Sequence, residues 1–206
     1  MKKFIFFILL LAVYSCKKED TKTVTEPSKS VPMTDTIIYS SKVLKPYLKF
    51  NEEFSEYELV GLENPQVFTD ADLNYPVKEN EFEFNKTADF KYYAPFTFEF
   101  NNVSYKIIAY HSYGENDSKV TNIQLNSYKG KQQIDALLLD CRFTFETEYY
   151  RDFTITKDGT IAIKKIALDG LNYDEEGDIV GQKKVKDSTT ETVRYKMNAK
   201  GIFTKV

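Results

Sequence analysis

Residues 134–147 read IDALLLDCRFTFET, and their alternation decides the fold class. Apolar side chains occupy every odd position from 137 to 145, while the even positions from 140 to 146 are polar. A period of two places alternate side chains on opposite faces of a β-strand. The stretch therefore predicts a strand with one face in a core and the other facing water.

Two neighbouring segments predict hairpins. Within residues 96–110, the pair Asn101-Asn102 separates two alternating runs, and asparagine tolerates the positive φ that a tight turn requires. Residues 151–168 read RDFTITKDGTIAIKKIAL, in which Asp158-Gly159 is the expected pair for a two-residue turn. The sequence around the first strand thus predicts antiparallel pairing with close neighbours in the chain.

Shorter strands are predicted elsewhere, and residues 43–62 fit either a short helix or two irregular strands. Together these segments predict a mainly β domain over residues 36–206, an antiparallel meander of about eight to ten strands. Closure into a barrel, a sandwich or a propeller-like arrangement is left open by the pattern. The shorter strand candidates are residues 81–85, 120–128, 191–197 and 202–206.

The first twenty residues, MKKFIFFILLLAVYSCKKED, predict a targeting segment. Lys2 and Lys3 precede an apolar run over residues 4–13, which is too short to span a bilayer but typical of a secretory signal peptide. We therefore predict a signal peptide over residues 1–15. Its removal takes away two lysines and no acids, leaving 26 basic and 31 acidic side chains and a formal charge of −5. That balance, without a basic stripe, argues against nucleic acid as a partner.

Ser15 followed by Cys16 resembles the lipobox of bacterial lipoproteins, and Lys18, Glu19 and Asp20 resemble the surface-export signal of lipoproteins from Bacteroidota. The resemblance implies that Cys16 is lipidated, becomes the mature N-terminus and anchors the chain in the outer membrane. It also implies display on the cell surface, with the periplasmic face as the alternative. Residues 16–35 are polar and predict a flexible tether.

A second resemblance covers residues 96–206. The phrases QLNSYKGKQQIDALLL, FTITKDGTIAIKK and YKMNAKGIFTKV are similar to those of small uncharacterised lipoproteins of Bacteroidota. Because these lipoproteins are uncharacterised, the resemblance implies no activity for this chain.

Single residues that can carry chemistry have few partners in the sequence. His111 is the only histidine and cannot build a histidine-based metal site, so we interpret it as a surface or strand-end residue. Cys141 shares the inward parity of its strand, which favours a small core side chain with a raised pKa over a nucleophile. No cofactor is predicted.

The acidic loop over residues 169–181 is the best ligand candidate in the sequence. It departs from the calcium-loop template because Lys183 stands where a bidentate glutamate is required. An irregular Ca²⁺ site formed by Asp174, Glu176 and Asp178 remains a hypothesis, and a solvated hairpin loop is the alternative.

Two further sets of side chains are candidates for recognition or catalysis. Glu146 and Glu148, with Glu99 if the sheet brings it close, form a conceivable carboxylate pair for glycoside hydrolysis. Adjacent tyrosines predict that one ring of each pair faces outward as a recognition surface. These pairs are Tyr92 with Tyr93, and Tyr149 with Tyr150.

Three classes of function follow from these observations. The leading prediction is a lipid-anchored protein of the outer membrane or cell surface with a non-enzymatic binding or accessory role, whose partner is an envelope protein or a glycan. The alternatives are an inhibitor or immunity-type lipoprotein and, less favoured, a glycan hydrolase. Phosphate-binding and nucleophile-elbow motifs are absent from the sequence.

Overall fold

A computed structural model describes residues 37–206. The predicted signal peptide, the lipidation site at Cys16, the export residues Lys18, Glu19 and Asp20, and the tether lie outside the described residues. None of the helices in residues 37–206 has the length and hydrophobicity of a transmembrane span.

Residues 37–206 contain twelve β-strands, two one-turn α-helices, and 3₁₀ turns at Lys45–Tyr47 and Glu115–Asp117. In chain order the strands and helices are β1 (Ile37–Ser40), α1 (Ser41–Leu44), β2 (Leu48–Asn51), β3 (Glu56–Leu59), β4 (Gln66–Val67), α2 (Asp70–Leu73), β5 (Lys91–Phe100), β6 (Val103–Tyr113), β7 (Lys119–Lys129), β8 (Gln132–Thr144), β9 (Thr147–Thr156), β10 (Thr160–Tyr173), β11 (Ile179–Met197) and β12 (Phe203–Lys205).

The predicted mainly β class and antiparallel meander are confirmed. Nine strands, β4 to β12, follow one another through a single sheet in chain order, and β1 pairs with β9 to make ten. All the ladders are antiparallel. The short strands β2 and β3 form a separate hairpin. Because sequence neighbours pair, the connections are short, as the turn signals predicted.

The sheet folds over at β8. This strand pairs with β9 through only two residue pairs near its C-terminal end, Phe143 with Tyr149 and Thr144 with Glu148. Near its N-terminal end, the Asp135 carboxylate accepts the backbone N–H of Phe203 in β12 (2.8 Å). Strand β8 therefore touches both edges of the β9–β12 half, and the two halves of the sheet enclose one core.

The core takes apolar side chains from both halves. The β5–β8 half contributes Tyr105, Ile107, Leu125, Leu137 and Leu139, among others. The opposite half contributes Phe153, Ile155, Ile161, Ile163, Val193, Tyr195, Met197 and Phe203. Burial of this continuous apolar cluster is the main force that holds the halves together.

The two predicted hairpins form, and their turns obey the expected backbone chemistry. Asn101 and Asn102 both have positive φ (49° and 61°), which fits a two-residue turn between β5 and β6. The predicted two-residue turn at Asp158-Gly159 is wrong, because the loop from Lys157 to Gly159 has three residues. Gly159 takes the left-handed conformation (φ 80°), as the last residue of such a loop commonly does.

Three other predictions change in detail. Residues 81–85 form no strand, because Glu79 and Glu83 adopt positive φ (60° and 54°) and turn the chain instead of extending it. The acidic hairpin loop shrinks to residues 174–178, since β10 and β11 extend further than predicted. Residues 43–62 contain both of the predicted alternatives, a short helix and a pair of short strands.

Candidate binding site

Residues 68–90, here the cover segment, pack on β6 and β8. Phe68 contacts Ile108 and Tyr110 of β6 in one apolar cluster. Val77 and Phe84 pack against a second cluster, formed by Val120, Leu138, Cys141, Phe143 and Tyr149. The cover segment has only one helical turn of regular structure, so its position depends on contacts with the sheet.

Lys78 fixes the backbone of the cover segment to β8. Its N–H donates to the Ala136 carbonyl (3.0 Å), and its own carbonyl accepts the N–H of Leu138 (2.9 Å). The Lys78 ammonium also donates to the Asp135 carboxylate and to the Phe203 carbonyl. The cover segment therefore satisfies backbone groups at the edge of β8 that β9 does not pair.

Two carboxylates of the cover segment pair with cations of the β9–β12 half. Lys165 Nζ lies 2.9 Å from Glu79 Oε2 and 2.7 Å from Glu81 Oε2. The buried Arg151 places Nη2 3.0 Å from Glu81 Oε1. These contacts, here the ion-pair cluster, span 84 residues of chain between Glu81 and Lys165.

Arg151 is satisfied on several sides, which explains why its burial is tolerated. Besides Glu81, its guanidinium donates to the Tyr149 hydroxyl (3.1 Å) and the Leu138 carbonyl (3.3 Å). Its backbone N–H donates to the Asp140 carboxylate (2.7 Å). A buried cation with this many acceptors keeps its charge and specifies one arrangement of its neighbours.

Glu79 stays ionised in this cluster. Burial opposes its charge, but hydrogen bonds from Tyr195, Lys165 and Lys205 outweigh burial and lower its pKa to about 2. The pKa of Glu81 is lowered by the same balance, with burial opposed by the hydrogen bond from Lys165 and the charge of Arg151. Both carboxylates are therefore ionised at neutral pH and hold the cover segment in place.

The cover segment forms most of the wall of an open cavity of about 460 Å³. Its walls are residues 73–77 and 84–86, together with Asn80 and Tyr110, and we name it the lysine pocket for Lys86. A cavity of this size is within the range of small-molecule sites in proteins. The lysine pocket is therefore large enough to hold a small-molecule ligand.

Lys86 is the charged side chain of the lysine pocket. Its Nζ donates to the Tyr75 carbonyl (3.3 Å). Burial lowers the pKa of Lys86 to about 8, against the opposing attraction of Asp72. Loss of water around an ammonium makes any new anionic partner more favourable.

A second cavity of about 380 Å³ adjoins the lysine pocket through the shared side chain of Phe84. We name it the aromatic groove, since it is lined by Phe82, Phe84, Tyr113, Gly114, Glu115, Phe143 and Phe145. The rings of Phe82 and Phe84 stack 5.5 Å apart, and Phe84 meets Phe143 edge to face at 5.3 Å. A Cβ at Gly114 would lie 2.5 Å from Phe145 Cζ, so only glycine allows this ring position.

The predicted carboxylate pair is only partly assembled. Glu146 and Glu148 line one groove of about 350 Å³, but Glu146 lies in the turn between β8 and β9 and not on a strand. Glu148 Oε2 pairs with Lys186 Nζ at 2.7 Å, so a cation of β11 already occupies this carboxylate. Glu99 is not a neighbour in the sheet, because β6 and β7 separate its strand β5 from β8.

The acidic loop is a tight turn in this structure. Asp174 accepts the N–H of Asp178 on its carboxylate (2.8 Å) and that of Gly177 on its carbonyl (3.2 Å). Among the described residues, no three His, Cys, Asp or Glu side chains are arranged to hold a metal ion. The Ca²⁺ hypothesis for Asp174, Glu176 and Asp178 therefore receives no geometric support.

The prediction for Cys141 as a core residue is confirmed, since its side chain is buried and burial raises its pKa to about 12. His111 lies near the end of β6, as predicted, but it is half-buried. Its Nε2 lies 3.1 Å from the Tyr57 carbonyl, and burial lowers its pKa.

The two tyrosine pairs are less exposed than an outward-facing recognition surface requires. Tyr149 is buried in the ion-pair cluster, and Tyr92, Tyr93 and Tyr150 are all half-buried. Tyr92 stacks on Phe68 of the cover segment with ring centroids 4.8 Å apart. The cover segment thus occupies a face that the sequence assigned to solvent.

Sequence reasoning missed the site itself. The sequence assigns no role to Lys86 or Glu79, and it predicts a strand over residues 81–85. The available signal was the alternation of acidic and aromatic residues over Glu81, Phe82, Glu83 and Phe84. In the structure, the Glu81 carboxylate pairs with cations while Phe82 and Phe84 line the aromatic groove.

Comparisons of the chain with protein-family models, with curated proteins and with solved structures found no match.

Proposed function

We propose that this chain is a lipid-anchored protein of the bacterial envelope that binds a glycan or other small polar ligand without transforming it. The observation that carries this proposal is the preformed pair of cavities, the lysine pocket and the aromatic groove, which share Phe84. Polar groups beside an aromatic surface are the usual components of a site for a partly polar ligand.

The ion-pair cluster supports a binding role. Glu79 and Glu81 face cations and not the open part of the lysine pocket, and their lowered pKa values keep them charged at neutral pH. A general acid must instead hold its proton near the working pH. The cluster fixes the cavity walls, so the ligand meets a site that needs little rearrangement.

The anchor in this proposal rests on the sequence alone. An acyl chain on Cys16 holds the protein at the outer membrane, and Lys18, Glu19 and Asp20 direct it to the cell surface. Multiple acyl chains on one cysteine give stable attachment. The test is metabolic labelling with an alkyne palmitate in cells that express wild type or Cys16→Ala. We expect label and membrane partition only in wild type, and membrane partition of Cys16→Ala contradicts the anchor.

The binding role is tested with the detergent-solubilised full-length protein on a panel of neutral and acidic oligosaccharides. Phe84→Ala removes the wall shared by both cavities and is expected to weaken binding at least tenfold. Phe54→Ala is the matched control, since Phe54 is 63% exposed and lines neither cavity. Equal binding by the two variants contradicts this site.

A second candidate is the inhibitor or immunity class, which acts on a protein partner. The arm formed by residues 170–187 of β10 and β11 favours it, because Ile179, Val180 and Val185 expose 52–79% of their surface there. Exposed apolar side chains mark a contact surface where they lie side by side, and these three are close together in the chain. Val180→Lys is expected to disrupt a protein complex while leaving binding in the lysine pocket intact.

A further inference from the structure

Lys86 lacks an anionic partner within the described part of the chain. Its Nζ makes one hydrogen bond, to the Tyr75 carbonyl (3.3 Å), and an ammonium has three donors. Asp72 attracts its charge, but the Asp72 carboxylate accepts the Thr69 N–H (2.8 Å) and hydroxyl (2.7 Å) instead. Two donors of a partly desolvated cation are therefore free for a ligand.

The other polar side chains of the lysine pocket are uncharged. Asn74, Asn80 and Asn85 contribute amides to its wall. The Asn80 Oδ1 atom is buried and has no hydrogen-bond partner among the described residues. Asparagine amides both donate and accept hydrogen bonds, so ligand hydroxyls are suitable partners for the amide groups that face the cavity.

The number of cations in the lysine pocket limits the charge of the anion that can bind there. One ammonium balances one negative charge, and Asp72 adds a nearby negative charge that disfavours a dianion. Phosphate sites normally combine several donors, such as arginine forks or a helix N-terminus, and the lysine pocket contains neither. The charge in the pocket therefore matches a carboxylate better than a phosphate.

The apolar parts of the wall of the lysine pocket suit the face of a sugar ring. Tyr75, Pro76 and Phe84 line the same cavity as the asparagines and Lys86. Sugar rings present C–H groups on their faces and hydroxyls around their edges, which suits a wall of this composition. A cavity of about 460 Å³ also accommodates a compact ligand without displacing the cover segment.

We propose that the lysine pocket binds a uronic acid, whose carboxylate pairs with Lys86 Nζ and whose hydroxyls bond with the asparagines. This inference rests on the proposed binding function and names its ligand class.

The test is titration calorimetry on the detergent-solubilised full-length protein with glucuronate and galacturonate, each compared with its neutral parent, glucose or galactose. We expect at least one uronate to bind tenfold or more tightly than its neutral parent. Lys86→Met keeps the length of the side chain, removes the charge and is expected to abolish that preference. Lys131→Met is the matched control, because Lys131 is exposed in the turn between β7 and β8.

A second variant guards against a folding defect in Lys86→Met. Asn80→Asp is nearly isosteric and places a carboxylate beside the ligand site, where it competes for Lys86. We expect it to weaken uronate binding at least tenfold in protein that still unfolds cooperatively. Full uronate binding by both variants overturns the role of Lys86.

The pH dependence gives an independent measurement. The groups that face Lys86 are Asp72 and the tyrosines at positions 75, 92, 110 and 128. Burial raises the pKa of each of these tyrosines, so they stay neutral in the relevant range. Uronate affinity is expected to fall above pH 8 as Lys86 loses its proton, and to stay flat there in Lys86→Met.

The outcomes separate the two proposals. Equal binding of a uronate and its neutral parent, both lost in Phe84→Ala, retains the proposed function and overturns the carboxylate. Absence of binding by every uronate and every member of the oligosaccharide panel overturns both.

Discussion

The meander, residues 91–205, and the cover segment, residues 68–90, satisfy their polar groups by different means. In the meander, backbone groups pair with sequence neighbours, as in the long ladder between β10 and β11. The cover segment has one backbone bridge at Lys78 and depends on Glu79, Glu81 and aromatic contacts. The frame and the site are therefore stabilised by different contacts, so that changes to one need not disturb the other.

The largest expected effect lies in the meander. Phe153 is 2% exposed at the centre of the shared core. Phe153→Ala removes its ring from both halves of the sheet, and we expect a loss of about 3–5 kcal/mol in the free energy of unfolding. Urea unfolding followed by circular dichroism measures it. The exposed Phe54 supplies the control Phe54→Ala, expected within about 0.5 kcal/mol of wild type. A loss below about 1 kcal/mol for Phe153→Ala means that the core is elsewhere.

The next effect lies in the cover segment. Glu79→Gln keeps the shape of the side chain and removes the charge that faces Lys165 and Lys205. We expect a loss of about 2–3 kcal/mol, at the low end for a broken buried ion pair because Lys165 retains Glu81. Urea unfolding measures this loss, and the exposed Glu175 gives the control Glu175→Gln. Equal stability of the two variants contradicts a structural role for the ion-pair cluster.

The pH dependence sharpens the same comparison. The pKa of Glu79 falls from an ordinary 4.5 to about 2 in the folded protein. Its contribution is therefore complete above pH 4.5 and disappears as the pH falls from 4.5 towards 2. The stability difference between wild type and Glu79→Gln, measured by urea unfolding from pH 7 to pH 2.5, should be constant above pH 5 and shrink below it. A difference that does not change with pH contradicts the assigned ionisation.

The smallest effect concerns a turn of the meander. Gly159 and Gly130 both have positive φ, but only at Gly159 would a Cβ meet another side chain, Phe100 Cζ at 2.7 Å. Both alanine variants suffer left-handed strain, so their difference isolates the contact. Thermal unfolding of Gly159→Ala and Gly130→Ala is expected to differ by about 1 kcal/mol. Equal losses show that Phe100 moves away freely.

The sequence predicted the meander because its signals are local. Alternation in residues 134–147 and the turn pairs at Asn101-Asn102 and Asp158-Gly159 each act over a few residues. The site depends on contacts between distant residues, such as Tyr195 with Glu79, which are 116 positions apart. Nothing near Glu79 in the chain indicates Tyr195. Likewise, Lys86 is a candidate ligand-binding residue because it is partly buried and has no anionic partner among the described residues. Both properties depend on the position of the cover segment and cannot be derived from the neighbouring sequence.

Native-state hydrogen exchange tests the central claim, that the cover segment is a separately stabilised layer on the meander. Exchange of residues 74–90 is expected to occur by local opening and to accelerate in Glu79→Gln. Strands β7 to β10 should keep their protection after correction for global stability. Faster exchange confined to the cover segment is the predicted result. Uniform acceleration across both regions, or none in the cover segment, contradicts the account.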